Sequence, residues 1–274
     1  MARENTQDRV ALVTGASSGF GRVTAATLMT RGFRVFGTSR RVVDHPQGIE
    51  MLELDVDSDD SVRDCIAELL GRAGRLDVLV NNAGRAMVGA CEETSAEEAR
   101  ALFETNVFGV MRTVSAVLPT MRTQRRGTIV NIGSLSGFVG VPFHGVYAAS
   151  KHALAGYTEA LRFEVRPYGI GVCLVEPAAH RTGIQMARPH GPLPHYDSGR
   201  ETVEAIIRKQ IETGSSPQRV ADVIAAAATS AAPRFRYRVG GKATFAAWAR
   251  RLLPVATFET VVRREFRLPG RAET

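Results

Sequence analysis

The chain has 274 residues, 44% of them hydrophobic, enough for one large core, so a single domain spanning 1–274 is expected. Its formal charge of +7 is concentrated at one end: after Pro233 there are ten Arg or Lys against three Glu, which leaves the preceding chain neutral. No run approaches the roughly 18 apolar residues of a membrane span and the opening MARENTQDRV lacks the apolar stretch of a signal peptide, so a soluble, cytoplasmic protein is expected.

In chain order, short β-branched apolar runs at 10–14, 34–38, 49–54, 78–81, 128–132, 171–175 and 235–239 have the length of strands buried on both faces. Helix-length segments lie between them, and 58–72 and 96–121 repeat apolar residues at spacings of three and four. Ser58 and Ser95 precede acids, as helix starts do, while Gly74 and Gly169 stand where helices should stop. Repeated β-α-β predicts a doubly wound parallel sheet with helices on both faces.

The stretch 178–216 breaks the rhythm, being rich in Pro, Gly and His with a short helical pattern near 201–212. It follows the carboxyl end of the sixth strand, where an open α/β sheet has its ligand crevice, and is read as a lid over a substrate. The basic extension 233–274 holds Phe245, Ala246, Trp248, Ala249, Leu252 and Leu253, then, after Pro254, Phe258, Val261, Val262 and Phe266. These spacings predict two short amphipathic helices. Their apolar sides suit docking on the domain or on a second subunit, and peripheral contact with an anionic membrane is the alternative. The extension lacks aromatics interleaved in a recognised module, so no nucleic-acid partner is expected. Cys65, Cys91 and Cys173 are odd in number and widely spaced, which argues for buried reduced thiols and against disulfides or a metal site.

The turn from Thr14 to Gly21 follows the first strand and opens a helix, placing Gly15, Ser17, Ser18, Gly19, Phe20 and Gly21 where a pyrophosphate can meet unpaired N–H groups and a positive helix dipole. The second strand ends in Thr38, Ser39, Arg40 and Arg41, with no acid for ribose hydroxyls; Arg40 can pair with a 2′-phosphate. Asp55, followed by Val56, is an acceptor suited to an adenine amino group, and it reads equally well as a helix N-terminal acid. Tyr147 and Lys151 are four apart and share one helix face, so the lysine ammonium and a nearby oxidised nicotinamide are expected to lower the phenol's pKa and make Tyr147 a general acid or base. Ser134 would donate a hydrogen bond to the same reacting oxygen.

Together these residues resemble the short-chain dehydrogenase/reductase family. Its T-G-x-x-x-G-x-G pattern matches Thr14 to Gly21, N-N-A-G matches Asn81, Asn82, Ala83 and Gly84, and Y-x-x-x-K matches Tyr147 to Lys151, with Ser134 and Asn106 at the positions of its serine and helix asparagine. The resemblance runs from Val10 to about Thr182. Within the family, Thr38 to Arg40, Leu52 to Val56 and Asn106 to Gly109 are similar to the 17β-hydroxysteroid dehydrogenase-like branch. The resemblance implies a Rossmann-type fold, NADP(H) in preference to NAD(H), a bulky apolar carbonyl or alcohol substrate, and a homo-oligomer, dimer or tetramer. It assigns Asn106, Ser134, Tyr147 and Lys151 to catalysis, with Lys151 also holding the nicotinamide ribose and Asn106 a proton-relay water. It assigns Asn82, Ala83, Gly84, Pro177 and Thr182 to cofactor binding beside the residues above.

The family's Pro-Gly becomes Pro177-Ala178 here, and a methyl group would strain that loop if the position needs positive φ. This departure motivates an alternative, a low-turnover cofactor-binding regulator or scaffold of the same fold. Arg85, Leu135, Ser136, Phe138, Phe143, His144, His180, His190 and His195 are candidates for the substrate pocket.

Overall fold

Successive side chains on a strand point to opposite faces, so each of the expected strands can feed two cores. The computed structural model describes residues 9–42 and 48–268. Residues 1–8 of the segment read for a leader, and Arg271 and Glu273 of the extension, lie outside the described residues. The elements run β1 Val10–Val13, α1 Gly19–Thr30, β2 Arg34–Ser39, β3 Glu50–Glu53, α2 Asp59–Ala73, β4 Val78–Asn81, β5 Ala86–Met87, α3 Ala96–Phe103, α4 Gly109–Gln124, β6 Gly127–Ile132 and α5 Gly145–Val165. They continue as β7 Ile170–Pro177, β8 Met186–Ala187, α6 Asp197–Glu212, α7 Gln218–Thr229, β9 Arg236–Val239, α8 Gly241–Leu252 and α9 Val255–Glu265.

All seven expected strands pair in parallel in one sheet, in the order β3-β2-β1-β4-β6-β7-β9. Alternation divides their side chains. Leu12, Phe36, Leu79, Ile129 and Leu174 pack on Leu69 of α2, Val114 of α4 and Leu154 of α5. Val13, Val35, Val80, Val130 and Val175 pack on Leu28 of α1 and Ile224 of α7. Two layers of helices therefore enclose one doubly wound sheet. Between β1 and β4 the strand order reverses direction, and a crevice opens at their carboxyl ends.

Local signals act as their chemistry requires. The Ser58 side chain accepts the Ser61 N–H and starts α2, a cap that contributes about 1 kcal/mol. Gly74 ends α2 with left-handed backbone. Ser95 and Glu98 form a reciprocal capping box at α3. The expected 96–121 helix is interrupted: Glu104–Phe108 is a π turn between α3 and α4, which buries Thr105, Asn106 and Val107. A π turn of this kind commonly marks a functional position.

Segment 178–216 carries β8, which pairs in parallel with β5, and α6. Cys65 and Cys173 are buried, but Cys91 is exposed, correcting the expectation for that thiol; it lies in the turn before α3 rather than on a strand or helix. Among the described residues no helix is long and apolar enough to cross a membrane.

Candidate active site

The crevice is a groove of about 750 Å³ lined in part by the glycine-rich turn. Gly15 and Gly19 take φ of 66° and 53°, and a Cβ on Gly21 would stand 2.2 Å from the Gly15 carbonyl oxygen. Side chains are excluded there by backbone conformation and by contact. α1 begins at an extended Ser18 whose side chain makes no capping bond, with no acid in the first turn. Its positive end therefore faces the groove without a competing carboxylate.

The turn is locked from β4. Thr14 Oγ1 accepts the N–H groups of Asn82 and Ala83 at 2.9 and 3.0 Å, and Asn82 Nδ2 donates to the carbonyls of Thr14 and Gly15 at 2.9 and 3.1 Å. The Asn82 amide thus shapes the turn. Gly15, Ser17, Ser18, Gly19, Phe20, Arg40, Asp55, Val56, Asn82, Ala83, Gly84, Tyr147, Lys151 and Thr182 line the groove; Thr182 faces Gly19, and Lys151 stands beside Gly84. Asp55 Oδ1 also accepts the Asp57 N–H at 3.1 Å, so its turn-forming and groove-lining positions coexist. Arg40 is exposed, and no acid occupies 38–42. Gly21, Asn106, Ser134 and Pro177 are not part of this wall.

Tyr147 and Lys151 lie one turn apart on α5. Lys151 Nζ donates to the Ile132 carbonyl at 2.9 Å and stands 5.9 Å from the Tyr147 ring centre. Just beyond β6, Ser134 Oγ accepts the Ser136 N–H at 3.1 Å and shares a hydrogen bond with Tyr147. Burial raises the Tyr147 pKa, with the Ser134 bond opposing it, and burial lowers Lys151 to about 8. In the protein alone, burial thus outweighs any lowering of the phenol by the ammonium. Desolvation disfavours charge on both groups, and Nζ is directed to a backbone carbonyl.

The π turn brings Asn106 behind this pair. Its Oδ1 accepts the Arg85 N–H at 2.8 Å, and its Nδ2 donates to the Arg85 carbonyl and to Ser150 Oγ at 3.0 and 3.1 Å. Asn106 thereby fixes the strand end that follows Gly84 to the helix that carries Tyr147. Arg85 lines the groove with its guanidinium 3.9 Å from Asp57.

Beyond Tyr147 the surroundings are apolar. Ala86, Val88 and Met186 are buried, with Phe143, Tyr147 and Ile207 packed against them. Leu135 and Phe138 pack with Val139 against Ala249 of α8 and Phe258 of α9. Phe143 holds a left-handed backbone, φ 57°, and its ring meets Tyr196 at 6.2 Å. His144 is buried, 5.2 Å edge-on to the Tyr147 ring, with Nε2 unpartnered and its pKa lowered to about 4 by burial. His180 is buried and bonded to the Ala178 carbonyl at 2.8 Å, whereas His190 and His195 are exposed. Ala178 is not among the residues with positive φ, so the feared strain at that position is absent.

Residues 183–187 line the groove, a role that carries no motif in the sequence. Sequence reasoning also misses Glu93. It is buried, pairs with Arg200 of α6 across 107 positions, and accepts the Leu193 N–H at 2.9 Å. A separate, more open depression of about 860 Å³ between α2 and α4 lies away from this chemistry.

A model of the short chain dehydrogenase family matches residues 9–192. A 3-ketodihydrosphingosine reductase of Bacteroides thetaiotaomicron is 41% identical over 85% of this chain and 88% of its own length. Retinol dehydrogenase 8 of Bos taurus is 35% identical over 86% of this chain and 83% of its own. A short-chain dehydrogenase structure from Streptomyces avermitilis superposes with a TM-score of 0.81 at 37% identity, covering 93% of this chain and 98% of that one. ElxO with NADP bound (TM-score 0.73, 26% identity, 86% and 99% covered) and a Burkholderia phymatum short chain dehydrogenase/reductase with NAD (0.77, 27%, 91% and 96%) share the fold. The glycine turn, the groove and the Tyr147, Lys151 and Ser134 cluster thus belong to a member of the short chain dehydrogenase family, an oxidoreductase of CH–OH and C=O groups that uses a nicotinamide cofactor.

Proposed function

We propose that this chain is an NADP(H)-dependent ketoreductase or alcohol dehydrogenase acting on a bulky apolar carbonyl or secondary alcohol. The observation that carries the reading is that Tyr147 and Lys151, with the Ser134 hydrogen bond on Tyr147, line the same groove as the glycine turn. The groove residues fit a dinucleotide: Gly15 and Gly19 form the turn at positive φ, the α1 N-terminus suits a pyrophosphate, and Arg40 suits a 2′-phosphate.

When bound, the reduced nicotinamide supplies the hydride that adds to the carbonyl carbon. Tyr147 gives its phenolic proton to the carbonyl oxygen, so that ketone, hydride and proton become the alcohol. The raised phenol pKa keeps that proton in place until the oxygen becomes basic. Ser134 donates to the same oxygen as charge develops. Lys151 holds the cofactor ribose and, with a pKa near 8, can return a proton to Tyr147. Thr182, which faces Gly19 in the groove, would hold the carboxamide, and 178–216 would cover the substrate.

The apolar substrate class is supported by the packing around Tyr147 and Leu135. The relatives named for 3-ketodihydrosphingosine and for retinol favour the same choice. NADPH oxidation over a panel of long-chain, steroid and retinoid ketones tests the reading. Turnover is expected on at least one of them, and Tyr147→Phe should reduce it by at least about a hundredfold while NADPH still binds. Comparable turnover by Tyr147→Phe would overturn the assignment.

A further inference from the structure

Helices α8 and α9 present two apolar faces where a docked helix pair needs one. The inner face is covered: Ala249 and Phe258 are buried against Val139, with Leu135 and Phe138 packed alongside. The outer face is open. Phe245, Trp248, Leu252 and Val255 are 67%, 57%, 68% and 60% exposed. The first three follow one another at spacings of three and four, which places them in one stripe along α8.

Charge decides what suits this stripe. Across 241–268 there are six basic residues against two acids, a net of +4, and one of the acids, Glu265, is paired with Lys242 at 2.9 Å. Arg251 directly adjoins Leu252. A second copy on this face would bring two surfaces of like charge together, which opposes association. An anionic lipid surface answers both features: acyl chains receive the apolar stripe, and headgroup phosphates meet the basic side chains. Trp248 also has the amphipathic ring that favours the headgroup boundary.

We infer that the α8 stripe of Phe245, Trp248 and Leu252, extended by Val255 at the start of α9, is a docking surface for an anionic phospholipid bilayer. The inner face of the same helices borders Leu135, the neighbour of Ser134, so docking sets the substrate end of the groove near the lipid. That consequence rests on the proposed apolar substrate; the docking itself does not.

Trp248 is the sole tryptophan, which makes the whole chain its own reporter. Vesicles of equimolar phosphatidylglycerol and phosphatidylcholine should shift its emission to the blue and carry the protein into the pellet. Salt should weaken both effects, and pure phosphatidylcholine should bind less well. Phe245→Ser with Leu252→Ser, which retains Trp248 and alters only exposed side chains, should bind at least about tenfold more weakly with an unchanged circular dichroism spectrum. Arg251→Glu should also weaken binding, by about tenfold.

Absence of both the shift and the pellet at low salt would overturn the inference. So would a Trp248 that, without vesicles, is already shielded from acrylamide and changes emission with protein concentration, since the stripe would then belong to a second copy. These readouts need no substrate, so failure of the hydride-transfer reading leaves them intact.

Discussion

Gly240 faces the methyl group of Ala178, and a Cβ built on Gly240 would come within 3.2 Å of it. Gly240 adopts φ 102° immediately after β9, while the Ala178 N–H donates to the Val239 carbonyl at 2.9 Å. The ends of β7 and β9 are thus tied, with the glycine on β9 making room for the alanine beyond β7. Ala178→Gly should leave turnover and cofactor affinity unchanged and destabilise by about 0.4–1 kcal/mol through the freer unfolded chain. Gly240→Ala should destabilise by about 1–3 kcal/mol, because it meets both strained backbone and the Ala178 methyl. Urea unfolding and steady-state kinetics check both; a gain in turnover for Ala178→Gly would reveal strain in the alanine loop.

The strands are legible because a strand buried on both faces is an unbroken apolar run, as 78–80 and 172–175 are. The glycine turn and the Tyr147–Lys151 pair are legible because each is local, within eight residues or one helical turn. The π turn is not, since the apolar period of 96–121 passes through it unchanged, and Asn106 emerges only through family resemblance. Nor is the pairing of Met186 with Ala86, where two-residue strands have no pattern of their own. Periodicity gives α8 one apolar side, but its division into a face the domain covers and an open stripe depends on Val139, more than a hundred positions earlier.

Arg40 stands at the end of β2 on the groove, in a stretch without a carboxylate. Arg40→Asp exchanges an attraction for a repulsion at a 2′-phosphate and offers ribose hydroxyls an acceptor. The ratio of kcat/KM with NADPH to that with NADH should fall by at least about tenfold, corresponding to the loss of one charge-assisted contact. The residue is exposed, so the melting temperature should barely move. An unchanged ratio would make Arg40 a solvated surface charge.

His144 couples the neighbourhood of Tyr147 to acid stability. Burial lowers its pKa from 6.5 to about 4, so between these values the unfolded chain takes up a proton that the folded chain refuses. The unfolded state then binds more protons, and stability falls as pH falls through that window, by roughly 3 kcal/mol in all. At higher pH the imidazole is neutral in both states and this loss vanishes. His144→Phe keeps an aromatic edge beside Tyr147 and removes the titration. Its unfolding free energy should decline less than the parent's between about pH 7 and about pH 4. Equal declines would place the acid sensitivity elsewhere.

Glu93 fastens 178–216 to the segment ahead of α3. Its Oε2 accepts the Ala90 N–H at 2.8 Å, while Oε1 accepts the Leu193 N–H at 2.9 Å and pairs with Arg200 of α6. Burial works to raise the carboxyl's pKa, but the two N–H groups and the guanidinium prevail and hold it below its ordinary value. Two outer contacts repeat the connection, from the His190 N–H to Glu98 and from the Tyr196 hydroxyl to Glu92. Glu93→Gln preserves shape but leaves Arg200, which is 4% exposed, with only the half-exposed Asp197 as a charge partner. Breaking a buried pair in this way costs about 3–5 kcal/mol, and α6 and the β8 segment should loosen first. Proteolysis within 178–216 should therefore accelerate, and KM should rise more than kcat falls if this segment covers the substrate. Glu92→Gln alters only an exposed hydrogen bond and should change stability by less than about 1 kcal/mol. Equal protease sensitivity in the two variants would mean that the buried pair does not hold the segment in place.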